Sequence, residues 1–270
     1  MKITGLRPED FERDMYIVKS NDLIQRSRYT LSYEEQRILL YLISKIKPTD
    51  KEIKRQDIDI KEYCKTCGIN INDVPCMYAF IKRTVKSLAD KSFWIKIEDN
   101  KETLLRWIDK ATINKNEGII NVRLCEDLLP YLIQVKKNYT QYTLASVLAM
   151  KSKYSPRLYE ILLSYLYLYR GFNETHKEYD IIELMELLGI TEKTKETYLK
   201  NVSMFKKNVI EKAVEEINYY TELKIDVEYK KEKKKIKTIR FNIYRRNWDE
   251  SWTNANHAYN ELDGENNNAK

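Results

Sequence analysis

This chain carries the same pattern twice. Ser32-Tyr33-Glu34-Glu35-Gln36-Arg37-Ile38-Leu39-Leu40 aligns with Ser155-Pro156-Arg157-Leu158-Tyr159-Glu160-Ile161-Leu162-Leu163 at an offset of 123. Asp59-Ile60-Lys61-Glu62-Tyr63 through Gly68-Ile69 aligns with Asp180-Ile181-Ile182-Glu183-Leu184 through Gly189-Ile190 at an offset of 121. Two matches in the same order at nearly one offset point to a duplicated domain. The length of 270 residues accommodates two such domains, each able to bury its own core.

In the first copy a short helix is expected over Lys19 to Gln25. Ser32 then caps a strong helix, with Glu35 in the capping-box position and Ile38, Leu39, Leu42 and Ile46 on its apolar face. A short strand around Ile58 leads to a helix closed by Gly68. Asn72 and Asp73 open a third helix with Met77, Ile81, Val85 and Leu88 at helical spacing. Phe93 to Ile97, Leu104 to Ile113 and Ile119 to Leu124 read as strands, the last two joined by the turn-like Asn114 to Gly118. Helix, strand, helix, helix and hairpin is the order of a winged helix.

The second copy starts from the stretch Tyr139 to Leu168. Ser155 is placed as the N-cap and Pro156 at the first helical position, followed by the stripe Leu158, Ile161, Leu162, Tyr165 and Leu166. Lys153 and Arg157 flank this helix start, where cations suggest an anionic partner, a carboxylate or a phosphate, although core packing with two solvated cations is the plainer reading for most of these side chains. The third helix of this copy is expected from Asn201 to Tyr219, burying Val202, Phe205, Val209, Ala213 and Ile217. Lys200, Ser203, Lys207 and Glu211 fall opposite that stripe, with Lys206 at its margin. Two strands then flank a basic hairpin tip, Lys230 to Lys235. The fold class is therefore α+β, two tandem winged-helix domains related by internal duplication, at 1–138 and 139–246. Residues 247–270, acidic and Asn-rich, are expected to form a disordered tail.

Charge is distributed unevenly. From Lys200 to Arg246 there are 14 Lys and Arg against 7 Asp and Glu, an excess of 7 that equals the net charge of the whole chain. A third helix and a basic wing are the two elements with which a winged helix grips a duplex, and the excess falls on both. The candidate DNA-binding residues are Lys200, Ser203, Lys206 and Lys207 on or beside the helix, and Lys230, Lys231, Lys233, Lys234, Lys235 and Lys237 on the wing. Lys82, Arg83 and Lys86 hold the equivalent positions in the first domain, and Lys153 and Arg157 complete the set.

Other chemistry finds little support. Cys64 and Cys67 make half of a metal or redox signature, but Cys76 and Cys125 supply no second pair, so the first two read as core residues. His176 and His257 are far apart, and no phosphate-binding G-x-x-x-x-G-K-[ST] loop occurs. Asp226 with Glu228, Tyr229 and Lys230 suits a metal-dependent nuclease, and equally a solvent-facing strand. The charged N-terminus lacks a signal-peptide core, and no apolar run is long enough to span a bilayer. These features lead to the expectation of a cytoplasmic, thiol-reduced protein without cofactor or metal.

Several stretches together resemble the initiator Rep proteins of theta-replicating plasmids, the twin winged-helix proteins that bind repeated origin sites called iterons. They are Val18 to Ile24, the helix Leu31 to Ile43, Lys151 to Ser155 with Arg157 to Glu160, Phe205-Lys206-Lys207 with Val209-Ile210, Ala213-Val214, Glu216-Ile217-Asn218, and the strand Ile239 to Ile243. The resemblance covers about Tyr16 to Tyr244. It implies a non-enzymatic protein, with monomers that bind direct repeats and open adjacent AT-rich DNA, and dimers that bind an operator and repress their own gene. It also implies a first domain that carries the dimer interface, and a host initiator and replicative helicase as partners. Lys206 and Lys207 match the family's basic pair, whereas Asn208 stands where a third basic residue is common. The competing readings are a winged-helix repressor with no role in initiation, and a rolling-circle nickase.

Overall fold

The computed structural model describes residues 15–47, 49–70, 77–114, 116–133, 135, 137–168, 173–233 and 235–267. β1 (Tyr16–Ser20) opens the chain and leads into α1 (Asn21–Arg26), whose first turn is capped by the Ser20 hydroxyl accepting from Leu23 N at 3.1 Å. The helix expected from Lys19 therefore starts two residues later, because Lys19 is the last but one residue of a paired strand. After β2 (Ser27–Arg28), α2 (Tyr33–Ser44) forms with its capping box complete. Glu35 N donates to the Ser32 hydroxyl at 3.2 Å, and Ser32 N donates to the Glu35 carboxylate at 2.6 Å. Ile38, Leu39 and Leu42 are buried from it.

β3 (Gln56–Asp59) and α3 (Ile60–Thr66) come next, then α4 (Met77–Ala89) with Met77, Ile81, Val85 and Leu88 buried. The start expected at Asn72 and Asp73 lies outside the described residues. Beyond α4, β4 (Ser92–Glu98) pairs with β5 (Lys101–Arg106), and β6 (Ile108–Asn114) pairs with β7 (Ile119–Leu124). The single strand expected over Leu104 to Ile113 is thus two strands in two sheets, ordered β2-β4-β5 and β3-β7-β6. Trp107 is the reason. It turns fully into the core, its ring stacked on Phe93 at 4.2 Å and edge-on to Tyr29 at 5.0 Å, so the chain cannot continue straight through it.

α5 (Leu129–Leu132) leads to β8 (Tyr139–Thr143), which pairs antiparallel with β1, Tyr16 opposite Thr143 and Ser20 opposite Tyr139. This pairing crosses the division expected between residues 138 and 139. α6 (Leu144–Leu148) and α7 (Ser155–Leu168) come after it. α7 includes Ser155, whose hydroxyl is buried without a hydrogen-bond partner rather than acting as the cap. Leu158, Ile161, Leu162 and Leu166 are buried as their spacing requires.

The second domain continues with β9 (Glu174–Asp180), α8 (Ile181–Leu187) and α9 (Glu192–Lys200). α10 (Val202–Phe205), a π-helical turn over Lys206–Glu211, and α11 (Lys212–Tyr220) then run on as one helix. β10 (Leu223–Glu232) and β11 (Lys235–Arg245) form a long hairpin, and the sheet is ordered β10-β11-β9. Finally, α12 spans Trp248–Asn267. The tail expected to be disordered is thus helical, because its buried residues Asn254, Ala258 and Leu262, four apart, seat one face of α12 on the protein. No helix among the described residues is long and apolar enough to cross a membrane.

The repeat is visible at the level of single hydrogen bonds. Asp59 caps α3 by accepting from Lys61 N at 2.8 Å, and Asp180, 121 residues on, caps α8 by accepting from Ile182 N at 2.8 Å. α3 ends at Gly68 with φ +64° and α8 at Gly189 with φ +68°. Each glycine precedes the same closing bond, Ile69 N to Cys64 O at 2.8 Å and Ile190 N to Met185 O at 3.0 Å. This is the Schellman closure, for which a left-handed residue is required.

Candidate nucleic-acid interface

The Val202–Tyr220 helix presents two faces. Phe205, Val209, Ile210, Ala213 and Ile217 are buried against the domain, while Ser203, Met204, Lys207, Asn208, Glu211 and Lys212 are exposed. Asn201 caps it, its side chain accepting from Met204 N at 3.3 Å. The π turn falls across Lys206–Glu211, so one extra residue enters where the polar face is densest and rotates α11 relative to α10. Periodicity at 100° per residue places Ser203, Lys207 and Glu211 on the outer face correctly. Met204, opposite the stripe, and Lys212, which follows the π turn, are exposed beside them.

Lys206 and Lys207 have different surroundings. The Lys206 ammonium sits 4.5 Å from the centre of the Tyr229 ring and 3.3 Å from Glu211, so it bridges the helix to β10. Burial pushes the Tyr229 hydroxyl up to about 12. Lys207 is exposed. Lys200, expected on the same helix, is the last residue of α9 instead, and a break at Asn201 (φ −136°) separates it from Ser203.

The hairpin carries its cations at the outer end. Lys231, Lys233 and Lys235 are exposed, and Lys233 itself takes φ +47° in the tip. Lys234 lies outside the described residues. Lys237 pairs with Glu232 at 2.7 Å, whose hydrogen bond raises the ammonium above its ordinary value. Lys230 pairs across the sheet with Glu178, and its hydrogen bond holds that carboxyl below the usual range. Glu178 also faces Arg240 at 3.5 Å, and Asn242 donates to Glu228 at 2.6 Å. Of the carboxylates weighed as a nuclease site, Glu228 is thus a cross-strand partner of Asn242, and Asp226 is exposed on the same strand. Among the described residues, no cluster of three or more His, Cys, Asp and Glu side chains is arranged to hold a metal ion.

In the first domain Lys82, Arg83 and Lys86 are exposed along α4, with Lys86 paired to Asp90 at 2.6 Å. Cys64 and Cys67 are buried, as core residues would be.

Arg157 lies elsewhere. It is buried, donating from Nε to Leu187 O at 3.1 Å, from Nη1 to the Tyr29 hydroxyl at 3.0 Å and from Nη2 to Ser27 O at 3.1 Å. Glu160 stands 3.7 Å away. The anionic partner that its place at a helix start suggests is therefore an internal carboxylate. With its donors turned inward, Arg157 cannot contact a phosphate, and its assignment to DNA is corrected to a bond between domains. Lys153 is half-buried with its ammonium 4.8 Å from the Tyr154 ring centre, and its carbonyl accepts from Gln36 at 2.7 Å.

The chain matches the family model described as initiator replication protein, WH1, over residues 16–163, and that described as initiator Rep protein, WH2, over residues 180–243. A replication initiation protein of Escherichia coli is 25% identical over 158 residues, which are 57% of this chain and 48% of that protein. The chain thus spans about half the length of this curated relative. The crystal structure of Pi initiator protein in complex with iteron DNA superposes with a TM-score of 0.66 at 18% identity, covering 86% of this chain and 98% of that one. At that identity the likeness is one of fold. With both winged-helix units matched in order and the repeat carried by equivalent caps and turns, this chain belongs to the initiator replication protein family.

Proposed function

We propose that the chain initiates plasmid replication by binding repeated double-stranded sites, iterons, at an origin, without catalysing a reaction itself. The observation that carries this reading is the exposed polar row Ser203, Lys207 and Asn208 on a helix that leads directly into a hairpin with a lysine-rich tip. Their order suits a helix in the major groove and a wing on the flanking backbone. Membership of the initiator family and a fold shared with an initiator solved on iteron DNA support it.

Within this reading, Ser203 and Lys207 reach base edges, while Lys231, Lys233 and Lys235 hold phosphates. Lysine lacks the bidentate fork of arginine, so DNA shape and the pairing of two domains supply part of the discrimination. The second domain is the main reader, and α4 with Lys82, Arg83 and Lys86 contacts a neighbouring groove. The first domain also carries self-association. Trp94 on β4 and Leu104 on β5 lie directly opposite each other and are 52% and 49% exposed, with β5 at the edge of its sheet. Dimers would repress the chain's own gene, and the host initiator and replicative helicase are its partners in the cytoplasm.

A footprint on the DNA flanking its own gene, run across a salt series, tests the reading. Evenly spaced protected repeats, each about two helical turns long, are the expected result. A single symmetric footprint would make the protein a repressor alone, and no protection above random DNA would overturn sequence-specific binding.

A further inference from the structure

α12 lies beyond both family matches, which end at residues 163 and 243, yet it is bonded to both domains. Its N-terminus is capped by Asn247, whose side chain accepts from Glu250 N at 2.9 Å, with Asp249 and Glu250 favourably placed in the first turn. One turn further, the Asn254 amide donates to Asn218 O at 2.9 Å and Thr221 O at 2.8 Å. These are carbonyls at the C-terminal end of α11, so Asn254 ties α12 to the end of the candidate recognition helix. His257 stacks on Tyr219 with ring centres 4.2 Å apart and planes 10° from parallel.

The far end of α12 reaches the first domain. Leu262 is buried and its backbone lies against the Gly68 turn, where a Cβ would stand 2.6 Å from Leu262 O and 3.0 Å from its Cα. That turn ends α3, the helix before α4. Glu261 pairs with Lys151 at 3.2 Å, in the turn between α6 and α7 that lies within the first family match. The equivalent turn of the second domain is closed in the same manner by different backbone. A Cβ on Gly189 would meet the Tyr29 carbonyl, and Gly189 O accepts from the Thr30 hydroxyl at 2.8 Å. Each copy of the duplicated turn is thus a seat for a backbone from elsewhere in the chain, and α12 fills the first.

We propose that α12 is a clasp that fixes the separation and rotation of the two DNA-facing helices, with Asn254 and Leu262 as its positioning residues. It thereby sets the half-site spacing that the chain accepts. The spacing effect rests on the DNA-binding function proposed for the chain; the clasp itself does not. Two linked modules gain affinity only when their geometry allows both to engage, and a fixed geometry makes that gain depend on spacing.

The test uses full-length protein with L262E and N254A, neither at a position that faces DNA. Duplexes carry a protected repeat with zero to five base pairs inserted between its halves; five turn one half to the opposite side of the duplex. Wild type should lose about tenfold or more in affinity with insertion. L262E should bind all spacings within about twofold of one another, weaker than wild type on the natural site and equal to it on the isolated second half. A variant that melts lower but keeps the wild-type spacing profile would overturn the clasp and leave α12 a merely stabilising helix. Should no repeat be recognised at all, the DNA-binding reading fails and a second measurement decides the clasp. Spin labels at K86C and S203C, in a C76S/C125S background, should give one narrow distance that broadens in L262E. An unchanged distribution would overturn it.

Discussion

Arg157 holds its guanidinium carbon 4.4 Å from the centre of the Tyr29 ring while donating to the hydroxyl of the same residue at 3.0 Å. This contact joins α7 to the segment between β2 and α2, and Glu160 sits behind it, shared by Lys19 at 2.7 Å and by the Tyr142 hydroxyl. Lys19, Tyr142, Arg157 and Glu160 are buried, and Tyr29 is half-buried. Burial lowers the Lys19 ammonium from its ordinary value despite Glu160 beside it. Removing one member of a buried charge network strands the others and costs about 3–5 kcal/mol.

R157A should therefore lower the urea midpoint markedly, and R157K should not restore it, because one ammonium cannot reach the three acceptors that the fork spans. At temperatures where R157A is still folded, the slope of log affinity against log salt should equal that of wild type. A slope reduced by about one would mean that Arg157 does contact a phosphate.

The wing behaves oppositely. Replacing Lys231, Lys233 and Lys235 by Ala should leave the melting curve within about 0.5 kcal/mol of wild type, since all three are exposed. Binding should weaken to iteron and random DNA alike, and the salt slope should fall by about 0.9 for each phosphate that is no longer neutralised. A weakening confined to the specific site would assign these lysines to base readout instead.

On the helix, K207A and K206A should differ. Lys207 is exposed, and its removal should cut discrimination between the repeat and random DNA by about 1–3 kcal/mol. Lys206 is held between Glu211 and Tyr229, so K206A should act mainly on stability and leave discrimination nearly intact. Competition binding against a scrambled repeat measures both; equal effects would mean that Lys206 leaves Glu211 and Tyr229 when DNA binds.

Legibility in the sequence divides along a physical line. Asp59, Asp180, Gly68 and Gly189 serve hydrogen bonds that span two to five positions, so these roles can be read locally, and with them the duplication. Trp107, Arg157 and α12 depend on partners remote in sequence. The charge pattern at Arg157 suggests an anion, against the plainer reading of a solvated cation, but does not tell Glu160 from a phosphate. The Asn-rich sequence of α12 has little intrinsic helix tendency, and its bonds to Asn218 and Thr221 and its close approach to the Gly68 turn exist only after both domains have folded. The π turn also escapes a 3.6-residue period by its nature.

Acid sensitivity should centre on Glu35. Burial alone would raise its carboxyl, but hydrogen bonds from Lys91 at 2.5 Å, Ser87 at 2.7 Å and the Ser32 backbone together hold it below its ordinary value near 4.5. The unfolded chain then takes up this proton more readily than the folded one. Its stabilising contribution is complete above the unfolded value and is lost as pH falls through the depressed folded value. E35Q should be less stable than wild type at neutral pH by about 1–3 kcal/mol, and the two urea midpoints should converge as pH falls below the ordinary carboxylate value and through the depressed folded one. A constant difference down to about pH 2 would mean that the carboxylate charge contributes nothing and only the shape of the capping box matters.

Gly118 and Gly189 give a matched pair of substitutions. Both take φ +68°, but a Cβ on Gly118 would meet nothing within 4 Å, whereas on Gly189 it would fall on the Tyr29 carbonyl. G118A should thus cost only the left-handed penalty, about 1–2 kcal/mol. G189A should cost that and more, because the turn and the Tyr29–Thr30 segment must part, breaking the hydrogen bond from the Thr30 hydroxyl. The same displacement pulls Tyr29 from Arg157, so G189A combined with R157A should destabilise by less than the sum of the two. Strict additivity in that cycle would show that Gly189 and Arg157 stabilise separate parts of the molecule, and the junction between domains would then lack the cooperativity that their shared partner Tyr29 requires.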